Sequence, residues 1–332
     1  MDFFKSKKFL IGIVLYIIIF IIIGIVAFFD KTLVVGFSLI SFLTLITFLV
    51  LFKIGIKSKT LIFLLLITFL VHFGGVLFIH YADFQPFGAG GMGDFTLYNN
   101  EAQEIAKRIH QGNFAFQEGL YIHHYYPVVI GYVYALTIPD MFIGQLLNVW
   151  LAVISVLLVY LIVLEIGGSK KQAFFIGLIV CIYPSYLFFG SLLLKDVLVV
   201  PLILGGLLLT LKLIKDFLWR NFAIFYIILG AIIHFRFYVG FALLFTFILC
   251  WLLLSKVNLK KRIIYGTIII ILLGFLPQFF DHGYYGFKTF EYYKNPRVIT
   301  VYREKAYLTP ASVEAPEPPA PEKPAPEPPA PE

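Results

Sequence analysis

Charge is scarce in this chain. Asp, Glu, Lys and Arg make up 14% of its 332 residues, where a soluble domain carries about 25%. That shortage excludes an ordinary water-soluble globule. Sixty per cent of the residues are hydrophobic (60%), more than one core can bury, so lipid must solvate many of them. Cysteine is scarcer still. Cys181 and Cys250 are the only two, and both fall inside apolar runs. This excludes a disulfide framework and a thiolate metal site and leaves two small buried hydrophobes. A P-loop, a G-x-S-x-G elbow and a dinucleotide-binding glycine fingerprint are also missing. The sequence repeats only in its Pro/Glu/Ala-rich end.

What is present is a series of long apolar runs. A bilayer core of ~30 Å takes about 20 apolar residues per helix. Such runs cover 9–29, 33–52, 60–80, 140–166, 172–190, 196–213, 220–235, 238–255 and 263–280. They predict an all-α membrane protein with about nine transmembrane helices. The first run is longer than a signal-peptide core and ends Val-Ala-Phe-Phe-Asp, so it reads as a retained span. The net charge of +7 is split into short clusters between runs, a pattern that orients a membrane protein rather than one that grips nucleic acid. With the N-terminus in the cytoplasm, every inner end carries basic residues, from Lys5, Lys7 and Lys8 through Lys170 and Lys171 to Lys260, Lys261 and Arg262. The short outer turns carry only Lys31, Lys195 and Arg236, and the C-terminus falls outside.

This layout divides the chain into a transmembrane hairpin, 1–59, and a transmembrane core, 60–280, with a long outer loop at 81–139. An aromatic and basic outer segment follows at 281–310, then a disordered tail at 311–332, whose composition favours extended polyproline II. Long loops within a compact protein are commonly functional. In this one Tyr98, Ala102, Ile105 and Ile109 recur at helical spacing, which predicts an amphipathic juxtamembrane helix. The stretch from Tyr125 to Ile138 is apolar but short, as expected of an interfacial or re-entrant segment. Tyr121, Tyr125, Tyr126, Tyr132 and Tyr134 suit the headgroup level.

Polar groups near lipid are expensive and mark candidate sites. Asp94 precedes the amphipathic helix. It reads either as a helix N-cap or as a carboxylate held at the outer surface. Lys195–Asp196 reads as a snorkelling interfacial pair or as a phosphate-binding cation with its orienting carboxylate. His234–Phe235–Arg236 places an arginine against the charge bias. Its guanidinium either snorkels or recognises phosphate in a bidentate way. His123–His124 lacks metal-ligand spacing and reads first as an interfacial polar pair. Singly, each reads as structural. All four fall on the same predicted outer side, which favours a common site.

The stretch 93–168 resembles the GT-C membrane glycosyltransferases related to protein O-mannosyltransferases and bacterial aminoarabinose transferases. The residues that carry the resemblance are Asp94, Tyr98, Ala102, Ala106 and Gly112, then Tyr126–Pro127, Gln145 and Asn148, and the turn Gly167–Gly168–Ser169–Lys170–Lys171. Tyr183–Pro184–Ser185 follows near the outer end of the next span. The resemblance implies a GT-C-like seven-helix core over about 60–280. It also implies a polyprenyl-phosphate sugar donor, with a glycan, lipid or protein acceptor at the outer face of a bacterial plasma membrane. Asp94 would be the catalytic base, and Lys195 and Arg236 would balance the leaving phosphate. Asp196, Tyr98, His123 and His124 would complete the substrate and lipid-phosphate site. The resemblance implies no certain cofactor and leaves a divalent metal near Asp94 open. The chain departs from the pattern where Phe95 follows Asp94, where Lys195 precedes Asp196, and in having a short tail instead of a large soluble domain. Two other classes compete. A lipid-linked glycan transporter or flippase predicts ionisable groups at mid-membrane and discontinuous helices. A non-catalytic assembly protein predicts that the tail matters more than Asp94.

Overall fold

The computed structural model describes residues 30–53, 58–81, 93–114 and 125–279. Packing divides the chain into Met1–Ile270 and Ile271–Glu332. Of the second unit the described residues are 271–279, the end of the last helix. The described residues form helices and no strand. They are α1 (Lys31–Lys53), α2 (Lys59–Tyr81), α3 (Asp94–His110), α4 (Tyr126–Leu136), α5 (Met141–Glu165), α6 (Lys170–Ile182), α7 (Pro184–Gly190), α8 (Lys195–Lys215), α9 (Trp219–Phe235), α10 (Phe237–Leu254) and α11 (Leu259–Phe279).

Each predicted span from 33–52 onward is helical, and α3 is the amphipathic helix expected in the long loop. Four helices, α1, α2, α5 and α8, are long and apolar enough to cross a bilayer, and α6 with α7 makes a fifth if the bent pair is one span. The apolar helices α9 and α10, with 17 and 18 residues, stop short of the ~20 that a full crossing takes. The run 9–29 and the segments 281–310 and 311–332 lie outside the described residues.

The polarity of the bundle is inverted relative to a soluble protein. Phe42, Leu49, Phe52, Ile227 and Leu253 are exposed, whereas Thr68, His72, Gln145, Asn148 and Ser155 are buried. Apolar outside and polar inside is the arrangement that lipid selects, because a lipid-facing polar group has no hydrogen-bond partner. The chain is therefore an all-helical membrane protein.

The central helix is α5, on which α1, α2, α6 and α8 all pack. Asp140 caps its start by accepting from the Phe142 N–H at 2.8 Å. Gly167 ends it with φ +97°, a conformation that a side chain would strain. Ser169 then opens α6 with a reciprocal capping box to Gln172, satisfying donors that a helix start leaves orphaned. Helices in lipid gain little from hydrophobic burial against each other, so close approach through small residues matters. At Gly177, for instance, a Cβ would lie 2.6 Å from Leu64 Cδ2 on α2.

One predicted span differs in shape. The run 172–190 is two helices, bent by 59° at Tyr183–Pro184. Proline has no N–H to donate to the carbonyl four residues back. The Tyr183 N–H bonds the Val180 carbonyl instead, at 3.3 Å, and Tyr183 itself takes φ −61°, ψ 117°, the extended backbone expected before proline.

The two ends of the bundle differ in charge. One end carries Lys53, Lys59, Lys170, Lys171, Lys212, Lys215, Arg220, Lys256 and Lys260–Arg262, close to helix termini. There Lys215 pairs with Glu165 at 2.7 Å. The other end carries α3, α4 and the starts of α5 and α8.

Candidate functional site

The site is built on the α3–α4 pair. α3 turns Tyr98, Asn99, Ala102, Ile105 and Ala106 inward, at the i, i+3, i+4 and i+7 spacing of one helix face, which is why the helical spacing was legible. Its apolar face lies on α4 at Gly131, where a Cβ would meet Ile105 Cγ2 at 2.5 Å and the Ala102 carbonyl oxygen at 3.2 Å. Polar ties fix the pair. The Tyr134 hydroxyl donates to Asn99 Oδ1 at 2.8 Å, Gln103 Nε2 donates to the Pro139 carbonyl at 3.1 Å, and His110 Nε2 bonds the Ala135 carbonyl at 2.8 Å.

Asp94 is the first residue of α3 and is exposed. The N-cap is Gly93, and no side chain caps this helix start. The N-cap reading of Asp94 is therefore corrected: the capping position falls one residue earlier, and the carboxylate is not engaged by the helix backbone. One turn on, Tyr98 is 1% exposed. Its ring meets Tyr126 edge-on, with centroids 5.5 Å apart, and Lys195 Nζ lies 5.9 Å from its centroid, within cation–π range.

Lys195, at the start of α8, is 8% exposed. Burial to that degree is unusual for a lysine without a reason, and it excludes free snorkelling into water. Asp94, Asp196 and Arg236 are all within electrostatic reach of it. Asp196 pairs with Arg236, whose Nη2 lies 2.5 and 2.6 Å from the two carboxylate oxygens. Arg236 sits between α9 and α10 and also donates to the Tyr238 hydroxyl. Burial opposes the guanidinium's charge, but the Asp196 carboxylate and Tyr238 outweigh it and raise its pKa. The guanidinium Nε is buried without a hydrogen bond.

A buried network holds these groups. The Tyr126 hydroxyl donates to Asn148 Oδ1 at 3.0 Å, and Asn148 Nδ2 donates to the Leu192 carbonyl at 2.6 Å. Asn148, on α5, thus ties α4 to the turn that leads into Lys195. Gly144, one turn earlier on α5, lets Leu193 of that turn and the Tyr134 hydroxyl come close, since a Cβ there would lie 2.5 and 3.2 Å from them. The phenols stay neutral donors. Burial first, then the Asp94 and Asp196 carboxylates, raise the pKa of Tyr98, and burial raises those of Tyr126 and Tyr134.

Five of the predicted residues, Asp94, Tyr98, Lys195, Asp196 and Arg236, thus gather from three distant segments into one electrostatic neighbourhood. His123 and His124 lie outside the described residues. Of the tyrosines expected at headgroup level, Tyr125 and Tyr132 are exposed, Tyr126 and Tyr134 are instead fully buried within the protein, and Tyr121 lies outside the described residues. Period alone cannot separate a headgroup tyrosine from one that faces a neighbouring helix. Asn99 and Tyr134 went unrecognised as partners, because nothing local links residues 35 apart. Tyr125, whose ring meets His234 edge-on at 5.2 Å, joins α4 to the segment before Arg236 in the same unheralded way. Among the described residues no group of three or more His, Cys, Asp or Glu is placed to hold a metal ion. Near Lys195 the carboxylates are Asp94 and Asp196, and Asp196 is already engaged by Arg236.

Chemically, the arrangement offers two cations, neutral phenols and two exposed carboxylates, of which Asp196 is paired with Arg236, at the end of a membrane bundle. The chain matches no protein-family model, no curated protein and no solved structure.

Proposed function

We propose that this chain is a GT-C type membrane glycosyltransferase. It transfers a sugar from a polyprenyl-phosphate donor to a glycan, lipid or protein acceptor. The observation that carries the reading is the convergence of Asp94, Lys195 and Arg236 around the buried Tyr98. A phosphate on a lipid tail needs cations at the end of an apolar bundle, and both are present. The acceptor hydroxyl gives its proton to the Asp94 carboxylate. Its oxygen attacks the anomeric carbon with inversion, and the sugar–phosphate bond breaks. The phosphate leaves with its charge balanced by Lys195 and Arg236. Tyr98 and Asp196 orient the two cations, and His123 and His124 are assigned to substrate and lipid-phosphate binding on the resemblance alone.

The membrane layout of the proposal has about nine spans, with the N-terminus cytoplasmic and the site and C-terminus outside, in a bacterial plasma membrane. It is supported by the concentration of lysine and arginine at the end of the bundle away from Asp94, as the positive-inside rule requires. The test uses membranes with equal amounts of wild type and Asp94→Asn, offered labelled polyprenyl-phosphate sugars and native acceptor extract. Label transfer by wild type alone is expected, with the variant down by at least ~10²-fold. Equal transfer by both proteins would remove Asp94 from the mechanism.

A second reading, a transporter or flippase for a lipid-linked glycan, is favoured by two specific observations. α6–α7 is broken within the bundle at Pro184, and α2 carries a fully buried histidine, His72. Discontinuous helices and buried ionisable groups are what such proteins use. Lipid-linked glycan flux that persists in Asp94→Asn would select it.

A further inference from the structure

His72 has no role in the chemistry proposed above, yet it is placed with care. It lies about 20 Å from one end of α2 and about 14 Å from the other, at ~1.5 Å per residue. It is 0% exposed. Its ring meets Tyr186 of α7 edge-on, with centroids 5.4 Å apart. The ring leans toward the Cys181 backbone at the end of α6, where the proline break leaves helix carbonyls short of donors. The Tyr186 hydroxyl leans toward Ser155 of α5, whose own hydroxyl donates to the Leu151 carbonyl at 2.9 Å.

Even so, both His72 ring nitrogens and the Tyr186 hydroxyl are buried without completing a hydrogen bond. Three such atoms in one patch are costly where neither lipid nor protein satisfies them. An apolar side chain would fill the same volume without that cost. Gly190 packs closely against the ring, where a Cβ would stand 3.2 Å from Nδ1 and 3.4 Å from Cε1. A buried water typically takes two to four hydrogen bonds from otherwise unsatisfied groups, and one His72 nitrogen with the Tyr186 hydroxyl supplies two candidates.

We infer that the patch between α2 and the α6–α7 bend is a binding site for a proton and the water that delivers it. His72 takes the proton and Tyr186 holds the water. The proton goes to the ring nitrogen that carries the lone pair. An O–H bond of hydronium breaks as this N–H bond forms, leaving water in the site, and the imidazolium then donates from both nitrogens, one toward the Cys181 carbonyl and one toward the water. The titratable groups facing the ring are Cys181 and Tyr186, with the hydroxyl of Ser155 beyond, and none of these brings a fixed charge. Because the ring leans on the broken end of α6, its proton occupancy bears on the bend itself. This site stands independently of sugar transfer.

Deuterium exchange at the imidazole C2–H tests it in the full-length protein reconstituted in lipid, read by mass spectrometry across pH. That exchange needs both a protonated ring and access of solvent-derived hydroxide. His110 is the internal reference, being exposed. The expected result is a sigmoid pH profile at His72, slower than His110 but measurable. Tyr186→Phe should slow His72 roughly fivefold, the loss of one hydrogen bond, and leave His110 unchanged. Ser155→Ala gives a second perturbation of the same hydroxyl if that variant folds poorly. No uptake at His72 at any pH while His110 exchanges fully would overturn the inference, as would uptake that neither variant alters.

Discussion

Two sets of helices pack on α5, and they are held in different ways. α1 and α2 are long and apolar, and they approach α5 through packed aliphatic side chains with few polar ties. Trp150 Nε1 donates to Thr47 Oγ1 of α1 at 2.9 Å, and the Ser58 and Tyr160 hydroxyls are 3.5 Å apart beside α2. α4, with α3 riding on it, is short and fastened by specific hydrogen bonds at Asn99, Gln103, His110 and Asn148. The difference follows from the solvent. α3 carries Asp94, Glu101, Glu104, Lys107 and Arg108, so one of its faces needs water while the other is driven onto α4 by the hydrophobic effect. In lipid that drive is weak, and long helices rely on shape. Where a site must hold charged groups in register, hydrogen bonds between particular residues are the available means.

Four substitutions test this contrast. Gly131→Val should be the most damaging. It forces a branched side chain into Ile105 and the Ala102 carbonyl, costing about 3 kcal/mol or more. Protease sensitivity should appear within α3 while α1 and α2 remain protected. Asn148→Leu removes a partner from both the Tyr126 hydroxyl and the Leu192 carbonyl, and should lower stability by about 2 kcal/mol in thermal unfolding. Because it frees the turn before Lys195, it should also depress transfer without touching substrate. Tyr134→Phe breaks only the bond to Asn99, a loss of about 1 kcal/mol. A double-mutant cycle with Asn99→Ala should recover that coupling energy. Thr47→Val should cost least, about 0.6 kcal/mol, because it deletes one tie between two helices that shape already holds together. A larger loss from Thr47→Val than from Tyr134→Phe would reverse the contrast.

Much of this architecture could be read from composition and period. The apolar runs became helices because a twenty-residue apolar stretch has no other way to satisfy its backbone in lipid. Tyr98, Ala102 and Ile105 turned inward because helical spacing places them on one face. Pro184 was visible too, but its consequence was not. Whether a proline bends a helix or ends it depends on what its neighbours offer the freed carbonyls, here α2 and α5 packed beside the bend. His72 passed unnoticed as a single polar residue in an apolar run, since its burial and its missing partners exist only once α6–α7 is folded against it.

By itself, then, the sequence determined that the chain is helical and membrane-embedded, roughly where its apolar helices lie, and which segments carry the charged candidates. Those properties depend on residues within a few turns of each other. Only the tertiary structure decided that Asp94, Lys195 and Arg236 share one neighbourhood, that Asp196 is spent on Arg236, and that Asn148 ties α4 to the turn before α8. These depend on helices brought together from segments that lie far apart in the chain, and local periodicity carries no information about which faces meet.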